Sequence, residues 1–225
     1  MLSRALLAAA GQGSAVTPLA LSRLAQGSST GASSTLSTSG TLGTTTDAHW
    51  VFVGIATNEV AGAAALPETV KLGGVDCSLV ASQTNGATAV SIYVTDSQLT
   101  VTSGSIAFRW GSSQDAKSWC LWEALDIVST AALDTFGTSD GAHTAPALTT
   151  APGGFILAHA FHDGGTPSAD LDNVFTYSTG AAGGNLRVSA VANTVGPGST
   201  TGNVRVGFSG TATDAAIVYA SFGDT

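Results

Sequence analysis

Residues 117–128, KSWCLWEALDIV, form the densest apolar run of the chain, with Trp119, Cys120, Leu121, Trp122, Leu125, Ile127 and Val128 close together. The run is short, rich in aromatic and β-branched residues, and bounded by GSSQD before it and STAALDTFGTSDG after it. That combination predicts a strand buried on much of both faces. LWEALDIV contains good helix formers, so a helix is the competing reading. A lone core helix would have little to pack against, because the neighbouring apolar runs alternate and end in turns.

On either side of this run, strand and turn signals follow one another. HWVFVGIAT (49–57) reads as a strand with Trp50, Phe52 and Ile55 as its inward candidates. Strands over 68–72 and 77–82 flank Gly73-Gly74, a hairpin signal, and Asn85-Gly86 precedes a strand over 89–95. SIAFRW (105–110) comes before the central run, and FILAHAFH (155–162) is a second long buried strand. Shorter runs at 147–150, 174–178, 186–192, 203–209 and 215–222 complete the set. Strands this closely spaced leave no room for crossover helices, so the sheets should be antiparallel. About ten of them indicate a sandwich or barrel.

Composition agrees. Of 225 residues only 10% are charged, 28 are Gly, and hydrophobic residues reach 44% with aromatics at 7%. Ser and Thr take over the solubilising role of charge, which suits an all-β protein with many tight turns. The net charge is −8, and Arg4, Arg23, Lys71, Arg109, Lys117, Arg187 and Arg205 are scattered. Nucleic acid and anionic membrane surfaces need clustered cations and are disfavoured as partners. No run approaches the ~20 apolar residues of a membrane-spanning helix. Cys77 and Cys120 are the only cysteines. They could form one disulfide, but each lies in an apolar strand-like run, which favours free thiols packed as small hydrophobes.

The first 46 residues read differently. MLSRALLAAA (1–10) suggests a short helix closed by Gly11, with some likeness to a weak secretion signal. Its short apolar run favours a retained docking segment. Thr17-Pro18 opens a predicted second helix ended by Gly27, with Leu19, Leu21 and Leu24 on its apolar side. SSTGASSTLSTSGTLGTTT (28–46) has the composition of a flexible linker. The expected organisation is therefore a helical anchor (1–27), a linker arm (28–46) and a β-sandwich domain (47–225). The anchor contacts would come from Leu2, Leu6, Leu19, Leu21 and Leu24.

The series TVKLGGVDCSLVAS, AVSIYVT, SIAFRWGSS, the central strand, LTTAPGGFILAHAF and AAIVYASF resembles a bacterial and phage β-sandwich module of jelly-roll, lectin-like type. The likeness covers most of the chain from Ala48. It departs at Lys71-Leu72, where an aromatic is common, and lacks a Pro-rich turn after the third strand. The opening MLSRALLAAAGQG resembles small tail-fibre or head-decoration proteins of phages and gene transfer agents. The resemblance implies an antiparallel jelly-roll-like β-sandwich and a structural role. It brings no catalytic residues.

Candidate sites are few. Asp163, Asp170, Asp172 and Asn173 supply hard oxygen donors in a Gly-rich stretch and are the candidate calcium ligands. The same residue types cap turns, and the spacing is not that of a calcium loop. His159 and His162 fall on opposite faces of one strand and make no ready zinc pair. Glu123 is a carboxylate in an apolar run, which marks a perturbed group or one paired with Arg. No paired carboxylates, GxSxG or Ser/Cys–His arrangement emerges, so an enzyme is not expected. Trp110 and Tyr177 are candidates for stacking on sugar rings, as is Trp119, with core packing the competing role of each. No cofactor other than calcium is implied.

Two functions of different class follow. The first is a virion surface component: a head-fibre, decoration or tail-fibre subunit, joined to other virion proteins through residues 1–46. It would form a homo-oligomer, a trimer by preference, and present the β domain to a host glycan. The second is a secreted or cell-surface bacterial carbohydrate-binding module.

Overall fold

The computed structural model describes residues 20–127, 129–139, 142–144, 148–149, 154–162, 166–169, 174–181, 184–194, 205–209 and 215–223. For residue 20, residues 142–144 and the strands between 162 and 209 it describes the backbone alone. The described residues are all-β, with no helix among them. Every strand pairing is antiparallel.

The first eight strands are β1 (Ala20–Ser29), β2 (Ser33–Thr41), β3 (Trp50–Asn58), β4 (Thr69–Leu72), β5 (Val75–Asn85), β6 (Thr88–Thr95), β7 (Ser103–Gln114) and β8 (Ala116–Leu125). They form one sheet in the order β1-β8-β3-β6-β5-β4-β7-β2. The other eight are β9 (Asp134–Thr138), β10 (Ala142–Thr144), β11 (Phe155–His162), β12 (Thr166–Ala169), β13 (Val174–Ala181), β14 (Gly184–Thr194), β15 (Arg205–Ser209) and β16 (Ala215–Phe222). Five of these form the sheet β13-β14-β11-β16-β9, and three form β10-β15-β12.

Side-chain alternation along the middle strands explains the layering. One face of β3, β6 and β8 presents Val51, Val53, Ile55, Tyr93, Trp119 and Leu121, which pack with Val70, Leu72, Ile106, Phe108 and Trp110 of β4 and β7. The eight-stranded sheet thus folds over on itself. The opposite face presents Phe52, Ile92, Val94, Cys120 and Trp122, which pack against Phe155, Leu157, Val218 and Phe222 of β11 and β16. Phe222 stacks on Phe155 at 5.0 Å and meets Phe52 edge-on at 4.7 Å. Within the run, 117–125 belongs to a strand buried on both faces, as its two-sided apolar content predicts. It ends at Leu125, because Asp126 takes the left-handed conformation (φ 59°) that breaks the ladder.

The hairpin expectations hold. Gly73 and Gly74 both have positive φ between β4 and β5, and Gly86 does so between β5 and β6. The expected short strand at 147–150 is not seen at Leu148 or Thr149, the two residues of it that are described.

The larger departures lie in the first 46 residues. Where a second anchor helix was expected, Ala20–Ser29 is strand β1, paired along β8. A helix of about ten residues is marginal in water, whereas the edge of β8 satisfies the backbone of β1 along its length. Alternation along the strand turns Leu21 to the outer core and Leu24 to the inner one, and a bulge between Arg23 and Gln26 puts Ala25 on the inner side as well. Both leucines therefore pack within the chain itself and not as an external anchor stripe. The expected linker contains β2, paired along β7, and Leu42 after it is fully buried. The sheet thus begins ahead of residue 47. Leu2, Leu6 and Leu19 lie outside the described residues.

Candidate functional site

The inner face of β8 carries Lys117, Trp119, Leu121 and Glu123 in alternation, with a charged group at each end of the row. Lys117 is 1% exposed, and its Nζ donates to the carbonyl oxygens of Gly31 (2.8 Å) and Gln114 (2.6 Å). It also lies 5.8 Å from the centre of the Trp110 ring. Burial pulls its pKa below the ordinary lysine value. Glu123, fully buried, accepts hydrogen bonds from the Thr44 amide (3.0 Å) and the Thr44 hydroxyl. His49 Nδ1 lies 3.7 Å from the same carboxylate. The His49 nitrogens also sit 2.8 Å from Asp47 O and 2.9 Å from Leu42 O. Gly31 precedes β2 and Thr44 follows it, so two buried polar side chains of β8 fix both ends of β2. Glu123 stands out in the sequence for this structural reason: Thr44 and His49 surround its carboxylate.

The opposite face of β8 holds Cys120, whose Sγ is 3.6 Å from Nδ1 of His159 on β11. A thiol beside an imidazole is the starting arrangement of a cysteine nucleophile. Here both groups are sealed between layers, at 1% and 0% exposure. Burial pushes the imidazole pKa down to about 3, so the ring is neutral, and its Nε2 has no hydrogen-bond partner. A methyl group on Gly54 would sit 2.4 Å from the ring, so only glycine lets the layers meet there. The pair is packing between sheets. Neither cysteine is in a disulfide; the half-buried Cys77 thiol is pushed up to about 12 by burial, with Asp96 adding to the effect.

Of the remaining expected site residues, Trp110 and Tyr177 fall among the described ones. Trp110 is 1% exposed and cannot offer a face to a ligand, which corrects its assignment as a stacking residue. Tyr177 is described by backbone alone, on β13. Asp163, Asp170, Asp172 and Asn173 lie outside the described residues. Among the described residues no group of three His, Cys, Asp or Glu side chains could hold a metal. No helix among them is long and apolar enough to cross a membrane.

A cleft that composition alone does not reveal lies where the folded-over sheet stays open. β1 and β2 are its two ends, so each has one backbone edge unpaired among the described strands. Between them is a cleft of about 700 Å³, lined by Ala25–Ser29, residues 31–33 and 35–41, and Trp119. Eight of its 16 lining residues are Ser or Thr, and none is ionisable. Gly27 lies flat on Trp119, where a methyl group would come within 2.6 Å of the ring. Lys117 anchors one of the lining residues by donating to the Gly31 carbonyl.

No family model matches the chain, and neither does any curated protein or solved structure. The site is therefore read from its own chemistry. The sequence signal for the cleft was the Ser/Thr/Gly run itself. Its threonines favour strands, and Leu36 and Leu42 mark where it touches the core.

Proposed function

We propose that this chain is a non-enzymatic structural subunit of a virion surface, of head-fibre, decoration or tail-fibre type, presenting a jelly-roll-like β-sandwich outward. The observation that carries the reading is the strand order β1-β8-β3-β6-β5-β4-β7-β2. Strand 1 lies beside 8, 2 beside 7, 3 beside 6 and 4 beside 5. That is the order left when a doubled ribbon is wound into two facing sheets. Such jelly rolls occur in viral capsid and lectin domains. The likeness is one of architecture, and the neutral cleft adds a surface suited to attachment.

Attachment to other virion proteins falls to the residues ahead of β1, since β1 and β2 are used within the sheet. Self-association as a trimer belongs to the same reading and rests on residues 1–10, because Leu21 and Leu24 are used within the chain. The test is density-gradient purification of particles from the native host. The chain should co-purify with them, and removing residues 2–18 should lower its incorporation at least tenfold while leaving it soluble. Recovery of the chain free in the medium or on cells, with none on particles, would replace this reading by the alternative. That alternative is a secreted or surface carbohydrate-binding module, which the uncharged cleft also favours.

A further inference from the structure

We propose that the β1–β2 cleft is a binding site for a neutral oligosaccharide. The inference rests on the surface-module reading above and adds a ligand class and a site to it. The chain carries 7 basic and 15 acidic residues, yet none lines the cleft. A phosphate, sulfate, carboxylated sugar or metal cation would find no counter-charge there and would lose hydration without return. What the cleft offers is groups that both donate and accept: the hydroxyls of Ser28, Ser37, Thr38 and Ser39 and the amide of Gln26. Sugar hydroxyls have the same dual character. The edges of β1 and β2, unpaired among the described strands, add backbone N–H and C=O groups. Half-buried Leu36 supplies an apolar contact for the C–H face of a sugar ring. The volume, about 700 Å³, lies within the range of about 300–1,000 Å³ of small-molecule sites.

An extended peptide is the rival ligand for free strand edges. The geometry disfavours it. β1 and β2 belong to the two facing parts of the folded sheet and approach face to face, with a methyl on Gly40 only 3.7 Å from Ala25 Cβ. A strand entering between them could pair with one edge only. The cleft also lacks the alternating apolar pockets that read peptide side chains.

The experiment uses the full chain and a panel of dextran, mannan and the hexamer of β-1,4-linked N-acetylglucosamine, with sulfated dextran and an extended peptide library as controls. At least one neutral glycan should bind, and hydrogen exchange of the unaltered protein should slow within residues 25–41 on binding. Ser28→Ile and Ser37→Ile, both at exposed positions, should each weaken binding at least tenfold, whereas Ser97→Ile outside the cleft should not. Absence of neutral-glycan binding, preference for sulfated dextran or peptide, or protection elsewhere would overturn the proposal. Loss of the glycan result with normal incorporation into particles would remove the ligand and leave the surface-subunit reading intact.

Discussion

His159 shows how one residue ties stability to pH. Its pKa in the folded protein is about 3, against an ordinary value of 6.5, because burial penalises the charged ring. Above the ordinary value both folded and unfolded chains hold it neutral, and it exerts no pH dependence. As pH falls from 6.5 towards 3 the unfolded chain takes up a proton that the folded chain refuses. Stability therefore drops by up to about 1.4 kcal/mol per pH unit from this group alone. Replacing His159 by Gln should remove that slope. Urea unfolding of the two proteins at several pH values between 7 and 4 measures it. Equal slopes in both would show that the ring is protonated or solvated in the fold.

At the scale of elements, the close approach of β3 and β11 depends on Gly54 as much as on apolar area. A methyl there would overlap the His159 ring, so Gly54→Ala should cost about 1–3 kcal/mol by forcing the layers apart. His159→Ala opens the space that this methyl needs. The two changes together should cost less than their sum by about 0.5–3 kcal/mol, read from a double-mutant cycle by denaturant titration. Strict additivity would mean that the layers do not touch at this point. The ties on β2 work on the same scale. Lys117 and Glu123 sit on one strand and hold the residues before and after another, which keeps a polar, charge-free edge strand in place where its own sequence supplies little apolar contact.

At the scale of the whole molecule, the second half of the chain covers the first. Residues 20–127 contain all eight strands of the folded sheet, but the outer face of β3, β6 and β8 is apolar and is closed by β11 and β16. A chain ending at Ser129 should therefore expose Phe52, Ile92, Val94 and Trp122 as one patch. It should bind a hydrophobic dye strongly and associate, as seen by fluorescence and light scattering. A soluble monomer with a sharp unfolding transition would show that the five-stranded sheet is not needed to cover that face.

The sequence alone determined the all-β class, the central strand as far as Leu125, the long strands at 155–162 and 215–222, and the Gly-marked hairpins. Each of these is a local signal: two-sided apolar content, period-two alternation, or a residue able to adopt positive φ. Only the tertiary structure decided the fate of residues 20–46. LALSRLAQ has adequate helix propensity and the Ser/Thr/Gly run looks like a linker, yet Ala20–Ser29 and Ser33–Thr41 are strands because β8 and β7 present edges that local sequence cannot announce. The same edges, brought face to face, make the cleft. Its lining comes mainly from two strands that carry no site motif, and it exists because the sheet that joins them at its opposite ends folds back on itself.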